Sequence, residues 1–118
     1  MSQEIESKPK MTDCPDPEDY SLCSHFIDAF AIIGKKWNGL IISSLCDTNA
    51  MRFKDLARCI SKCSDRVLVE RLKELEKEGI VNRTVDQKSG IISYTLTQKG
   101  ADLQPVFDQV HNWADKWA

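Results

Sequence analysis

The sequence predicts a mainly α chain with a small β-hairpin (α+β), and three observations carry that expectation. Leucines recur at i, i+4 and i+7 in "SDRVLVERLKELEKEG", a helical stripe framed by Ser64 as N-cap and Gly79 as stop. The short periodic run "RFKDLARCI" precedes it, separated only by "SKC", so two helices meet at a tight turn. The β-rich runs "IVNRTV" and "IISYTL" follow it, on either side of the turn-forming cluster "DQKSG". Helix, tight turn, capped helix and hairpin, in that order, are the layout of a winged helix-turn-helix with the hairpin as the wing.

The other elements follow along the chain. Residues 1–20 are polar and carry Pro9, Pro15 and Pro17, which reads as a mobile tail, leaving 21–118 as the domain. "SHFIDAFAIIG" spaces Phe26, Ile27, Phe30 and Ile33 as a first helix, stopped by Gly34. "KKWNGLIISSLC" resumes with Trp37, Leu40, Ile41 and Leu45 on one face, and "DTNAM" reads as a loop. Phe53, Leu56 and Ile60 give the short helix about two turns. Thr97 caps a last helix carrying Leu103, Phe107, Val110, Trp113 and Trp117, with Pro105 expected to kink it or delay its regular part. There is no internal repeat.

Composition narrows the function classes. A chain of 118 residues, 42% apolar and 29% charged, is a single globular domain with little room for an elaborate active site. No run approaches the roughly 20 apolar residues of a membrane span, and no signal-peptide h-region is present, so no membrane partner and a cytoplasmic location are expected. Five cysteines (Cys14, Cys23, Cys46, Cys59 and Cys63) are an odd number for a disulfide framework. Neither CxxC nor CxxH occurs, and His25 and His111 lie far apart, so neither a metal nor a cofactor is expected.

Net charge is −2, but it is unevenly placed. Residues 1–30 hold two Lys against seven acids, a balance of −5; residues 52–88 hold ten Lys/Arg against seven acids, a balance of +3. Phosphates respond to the local field, so double-stranded DNA remains a fitting partner. At about 100° per residue, burying Leu68, Leu72 and Leu75 turns Arg66, Glu70, Lys73 and Lys77 outward, with Val69 flanking them. Arg66, Val69 and Glu70 occupy the first half of the helix, the part that reaches base edges: Arg suits guanine, Val a thymine methyl, Glu cytosine. Lys73 and Lys77 suit phosphates, as do Arg83 and Lys88 on the wing and Arg52 before the short helix. Taken alone, this helix face is equally a solvated one of charged i,i+4 neighbours; the turn and the hairpin favour DNA.

"IIGKKWNGLIISSL", "RFKDLARCI", "SDRVLVERLKELEKEGIVNR" and "YTLTQKGADLQPVF" together resemble the HxlR-type transcriptional regulators, winged helix-turn-helix proteins related to the MarR group. The resemblance runs from about Cys23 to the C-terminus. It implies a non-enzymatic homodimer, joined through its first and last helices, that binds inverted-repeat operators, mostly as a repressor. Phe26, Phe30, Trp113 and Trp117 become the interface candidates, with one of the two tryptophans equally suited to the core, and Trp37 is placed in the core. Cys23 stands where the redox- and electrophile-sensing branch carries a reactive thiol, about fourteen residues before the motif tryptophan. The resemblance therefore implies release from the operator when a quinone-like electrophile or an oxidant modifies Cys23. Cys63 falls at a position that is apolar in the family, and Cys59 faces elsewhere, near the DNA side.

Other readings stay open. A cysteine in an apolar helix is by composition inert filler. Against that, a thiol in a helix's first turn meets the positive dipole end that favours the thiolate, while Asp16, Glu18 and Asp19 oppose it. If Cys23 forms a disulfide, Cys14, Cys46, Cys59, Cys63 or a second subunit's Cys23 must supply the other sulfur. The chain departs from the family in having Ser61-Lys62 for the usual Pro-Gly and a shorter, proline-free wing tip. Two alternatives stand beside the thiol-switched repressor: the same fold with another signal and a structural Cys23, and a small thiol oxidoreductase. For the second, only His25 is near enough to serve as a base.

Overall fold

The computed structural model describes residues 21–118, with side chains from residue 24 onward. The expected tail and Cys14 lie outside the described residues, and Cys23 is described by its backbone only. The chain divides after Gly34 into two units.

In the first unit the apolar spacing of "SLCSHFIDAFAII" forms α1, Ser21–Ile33. The Gly34 amide closes it on the Phe30 carbonyl at 2.9 Å. Gly34 serves here through its size: a Cβ would stand 2.8 Å from that oxygen. Phe26 and Phe30, one turn apart, stack at 4.8 Å between ring centroids, and both are exposed.

The second unit holds α2 (Asn38–Asp47), β1 (Met51–Arg52), α3 (Phe53–Cys59), α4 (Asp65–Lys77), β2 (Val81–Val85), β3 (Ile92–Leu96), α5 (Gln98–Ala101) and α6 (Gln104–Trp117). It is mostly helical, with a three-stranded antiparallel sheet in the order β1-β3-β2. The expected hairpin is β2 and β3, paired from Val81↔Leu96 to Val85↔Ile92. Part of the stretch expected as a loop is strand β1, with Met51 opposite Tyr94 and Arg52 opposite Ser93. A two-residue strand is too short for alternation to reveal it. The expected last helix is two: Thr97 caps α5, and Pro105 stands in the first turn of α6, where its missing N–H costs no helical bond.

Ile41, Ile42 and Leu45 of α2, Leu56 of α3, and Leu68, Leu72 and Leu75 of α4 are all at most 2% exposed and form the core with Met51, Ile80, Val81 and Tyr94. Burying each of these leucines is worth roughly 1.5–3 kcal/mol. Leu40, expected on the buried face of α2, is 55% exposed, because Asn38 at 0% takes the inward position instead. Trp37, placed in the core by resemblance, is half-buried and enters α2 with φ 79°, the single positive-φ residue besides glycine among the described residues. For a bulky side chain that backbone costs about 1–2 kcal/mol. Contacts with α4 hold the turn: Lys35 Nζ meets Glu74 Oε2 at 2.7 Å, and Arg71 Nε donates to the Lys36 carbonyl at 3.3 Å.

Gly79, at φ 77°, ends α4, with the Ile80 amide bonding back to the Leu75 carbonyl at 2.9 Å. The "LTQKG" segment then locks that end. The Thr97 hydroxyl donates to the Gly79 carbonyl at 2.5 Å and accepts from the Gly100 amide at 3.1 Å, while Lys99 Nζ donates to the Glu78 carbonyl at 2.7 Å. Gly100 packs against the Ile80 carbonyl so closely that no Cβ fits. Gly100→Ala is therefore expected to destabilise the domain by roughly 1–3 kcal/mol, the cost of overpacking. A thermal or urea melt equal to wild type would show that the segment has slack.

Candidate nucleic-acid interface

The interface starts at the turn between α3 and α4. Arg52 donates its backbone N–H to Asp55 Oδ2 at 3.2 Å, opening α3. Ile60 and Cys63 bury the connection, and the Ser64 hydroxyl accepts from the Val67 amide at 3.2 Å, opening α4. Asp65 in the first turn of α4 and Lys77 in the last complement its dipole. With the leucine stripe inward, Arg66, Val69, Glu70, Lys73 and Lys77 are all exposed.

The proposed base-reading residues come together on that face. Arg66 Nε stands 3.9 Å from Glu70 Oε2, with side-chain exposures of 89% and 56%. Such an exposed i,i+4 pair holds the guanidinium by only about 0.3–0.5 kcal/mol, so it opens readily for a base edge. Val69 and Lys73 line a groove of about 380 Å³ with Glu76, Arg83 and Tyr94. The wing thus faces the outer side of α4, bringing Arg83 beside Lys73.

Arg52 does not join this cluster. The register puts Met51, Tyr94 and Arg83 in one row across the sheet and Arg52, Ser93 and Thr84 in the next, so Arg52 points to the other face from the edge strand. Lys88 lies in the wing tip, where its amide and that of Ser89 donate to Asp86 Oδ1 at 2.8 and 3.2 Å and Gly90 turns at φ 74°. Sequence reasoning missed Glu76 and Tyr94. The alternation of Ile92, Tyr94 and Leu96 is the signal that could have put Tyr94 on the inner face of β3, but its place opposite Arg83 needs the register.

Three cysteines are described, all free. Cys63 is buried in the turn, where its thiol donates to the Ser64 carbonyl at 3.5 Å. Burial pushes that thiol up against the opposing pull of Arg71. Burial, with Asp47 and Asp108, likewise raises Cys46. Both shifts disfavour the thiolate, the nucleophilic form. Cys59 is exposed and borders a cavity of about 230 Å³ with Trp37, Leu40 and Lys62. Among the described residues no group of three or more His, Cys, Asp or Glu is placed to hold a metal, and no helix is long and apolar enough to cross a membrane.

Known proteins share this architecture. A family model described as HxlR-like helix-turn-helix matches residues 32–118. The chain is 44% identical over 98 residues to the HTH-type transcriptional regulator YodB of Bacillus subtilis (strain 168), covering 82% of this chain and 87% of YodB. It superposes on the crystal structure of quinone-bound YodB from B. subtilis with a TM-score of 0.70 at 45% identity, over 80% of this chain and 100% of that one. The redox regulator HypR in its oxidised form gives a TM-score of 0.74 at 29% identity, over 80% of this chain and 97% of that one.

The amides of Ser89 and Lys88 hold the Asp86 carboxyl below its ordinary range. A carboxylate depressed in the folded state contributes order above its unfolded pKa and loses it as pH falls through the folded value. The wing tip is thus expected to stay ordered at neutral and mildly acidic pH and to loosen only below the normal aspartate range. Amide resonances of Lys88 and Ser89 report this; a titration midpoint at or above that of an unstructured aspartyl peptide would contradict it.

Proposed function

The chain belongs to the HxlR-like helix-turn-helix family of DNA-binding transcriptional regulators, and we propose that within it the protein is a dimeric repressor released from its operator by thiol modification at Cys23. The observation that carries the DNA reading is the exposed face of α4, capped by Ser64, backed by three buried leucines and flanked by the wing with Arg83. Arg66, Val69 and Glu70 read bases; Lys73, Lys77, Arg83, Lys88 and Arg52 meet phosphates, with Arg52 on a backbone segment apart from the others.

Exposed apolar surface supports a homodimer. Along α6, Val106, Val110, Trp113 and Trp117 are 44–67% exposed at i, i+4, i+7 and i+11, and no residue of the helix is buried. Phe26, Ile27 and Phe30 are more than half exposed on α1. Such stripes on a small domain call for a covering surface, and a second copy supplies an identical one. Two copies then present their α4 helices to successive major grooves of an inverted repeat, about one helical turn apart.

The thiol reading rests on sequence position and on the relatives: YodB has a quinone-bound structure and HypR an oxidised one. By sequence, Cys23 falls in the first turn of α1, a position at which a helix's positive end in general favours a thiolate and the nearby Asp16, Glu18 and Asp19 oppose it. With a quinone, that thiolate adds to a ring carbon; the S–C bond forms and the ring takes up a proton, ending as a thioether of the hydroquinone. With a disulfide-forming oxidant, Cys23 loses its thiol hydrogen together with that of a second cysteine, and the oxidant takes up both. Burial, which raises Cys46 and Cys63, disfavours them as the second thiol relative to exposed Cys59.

The test is a titration of DNA from the protein's own upstream region at fixed salt, before and after a quinone, on wild type and Cys23→Ser. Wild type is expected to lose at least tenfold in affinity, and Cys23→Ser to hold on. Equal release by both proteins would move the sensor to another cysteine, with exposed Cys59 the first candidate. No specific binding by either would end the regulator reading.

A further inference from the structure

We propose that the groove between α4 and the wing is a seat for one phosphodiester of the operator backbone, in which the hydroxyl of Tyr94 is the neutral donor between the cations Lys73 and Arg83. This rests on the DNA reading above and adds to it a residue and a contact point. Tyr94 is only 9% exposed, yet it borders the groove. Its hydroxyl has no hydrogen bond, and the side chains of Lys73 and Arg83 have neither a hydrogen bond nor an ion pair, among the described residues. The ring is what is buried: the hydroxyl oxygen is not among the buried side-chain atoms left without a partner, so it opens into the groove and is hydrated there. A phenylalanine would fill the same space, so what the hydroxyl adds is a donor at the groove wall, ready to exchange water for an incoming acceptor.

The surroundings say which acceptor. Strand register places Arg83 directly opposite Tyr94, so guanidinium and phenol stand side by side on one face of the sheet. Lys73 approaches from α4, and Val69 gives an apolar wall. Two cations against the carboxylate of Glu76 leave one net positive charge, which matches a singly charged phosphodiester better than a doubly charged monoester. At about 380 Å³ the groove holds more than an isolated phosphate, and the valine wall suits the carbons of a flanking deoxyribose. The seat also fixes register: a phosphate held between recognition helix and wing sets how Arg66, Val69 and Glu70 meet the bases.

The experiment measures affinity of the full chain for its upstream duplex and for a scrambled duplex across a salt series, with wild type, Tyr94→Phe and Arg83→Gln. Tyr94→Phe is expected to lose about tenfold for each half of the dimer, on both duplexes alike, the scale of one hydrogen bond to a charged group at each seat, with the salt slope unchanged because no charge is removed. Arg83→Gln is expected to lower the slope by about two, one for each half. Scanning single methylphosphonates along the duplex should then find one position in each half-site whose neutralisation weakens wild type more than it weakens Tyr94→Phe, in which only the two cations are left to lose their partner. Should Tyr94→Phe melt lower than wild type, Arg83→Gln against the same methylphosphonate series decides. Wild-type affinity in Tyr94→Phe, a loss confined to the specific duplex, or strict additivity at every methylphosphonate would overturn the seat while leaving DNA binding intact. A wild-type chain with no salt-dependent affinity for either duplex would remove the DNA reading itself.

Discussion

Burial of Leu68, Leu72 and Leu75 is the constraint on which the rest depends. Because the three share one side of α4, hiding them fixes which residues turn outward, and everything the protein offers to DNA from that helix follows. The ends of α4 receive the same care. Ser64 closes one end, and Gly79, Thr97 and Lys99 close the other, so the helix carries its side chains on a rigid rod held at both tips. Lys35 and Arg71 tie its middle to the turn before α2. A reading helix has to be held this firmly, since a shift of an ångström or so separates a bidentate base contact from none.

Strain and exposure concentrate at the turn before α2 and along α6. The turn at Trp37 keeps a left-handed backbone in a bulky residue, at the start of the second unit and directly after the helix that carries Cys23. Its contacts with Glu74 and Arg71 run straight to α4. On the proposed reading, chemistry at Cys23 alters α1, and this strained turn is the covalent link through which the reading helix feels it. On the same reading, the exposed tryptophans of α6 are the surface through which two copies would set the spacing of their α4 helices. A few kcal/mol between two such arrangements suffices for release.

Much of this was legible in the sequence, for reasons particular residues make plain. The α4 stripe, its Ser64 and Gly79 boundaries and the β2–β3 hairpin are local signals, each contained within about twenty residues, and the structure reproduces them. Strand β1 was hidden because two residues carry no period, and its pairing partner lies more than forty positions away. Leu40 and Trp37 misled because hydrophobicity predicts burial only on average; Asn38 took the inward position and the strained turn lifted Trp37 halfway out. Tyr94 and Glu76 escaped notice as site residues because the groove they line is made by a tertiary approach of wing to helix. Arg52, expected to meet phosphates from the start of the short helix, stands by register on the other face of the sheet from Arg83, a relation that only the pairing of β1 with β3 reveals.

The central claim, that two copies of the exposed α4 face and its wing grip DNA together, is tested most directly by hydroxyl-radical footprinting of the reduced full-length chain on its own upstream region. The account predicts two protected patches of equal strength, symmetric about a central dyad and about one helical turn apart. A single isolated patch, or protection that spreads evenly along the duplex without a dyad, would contradict it.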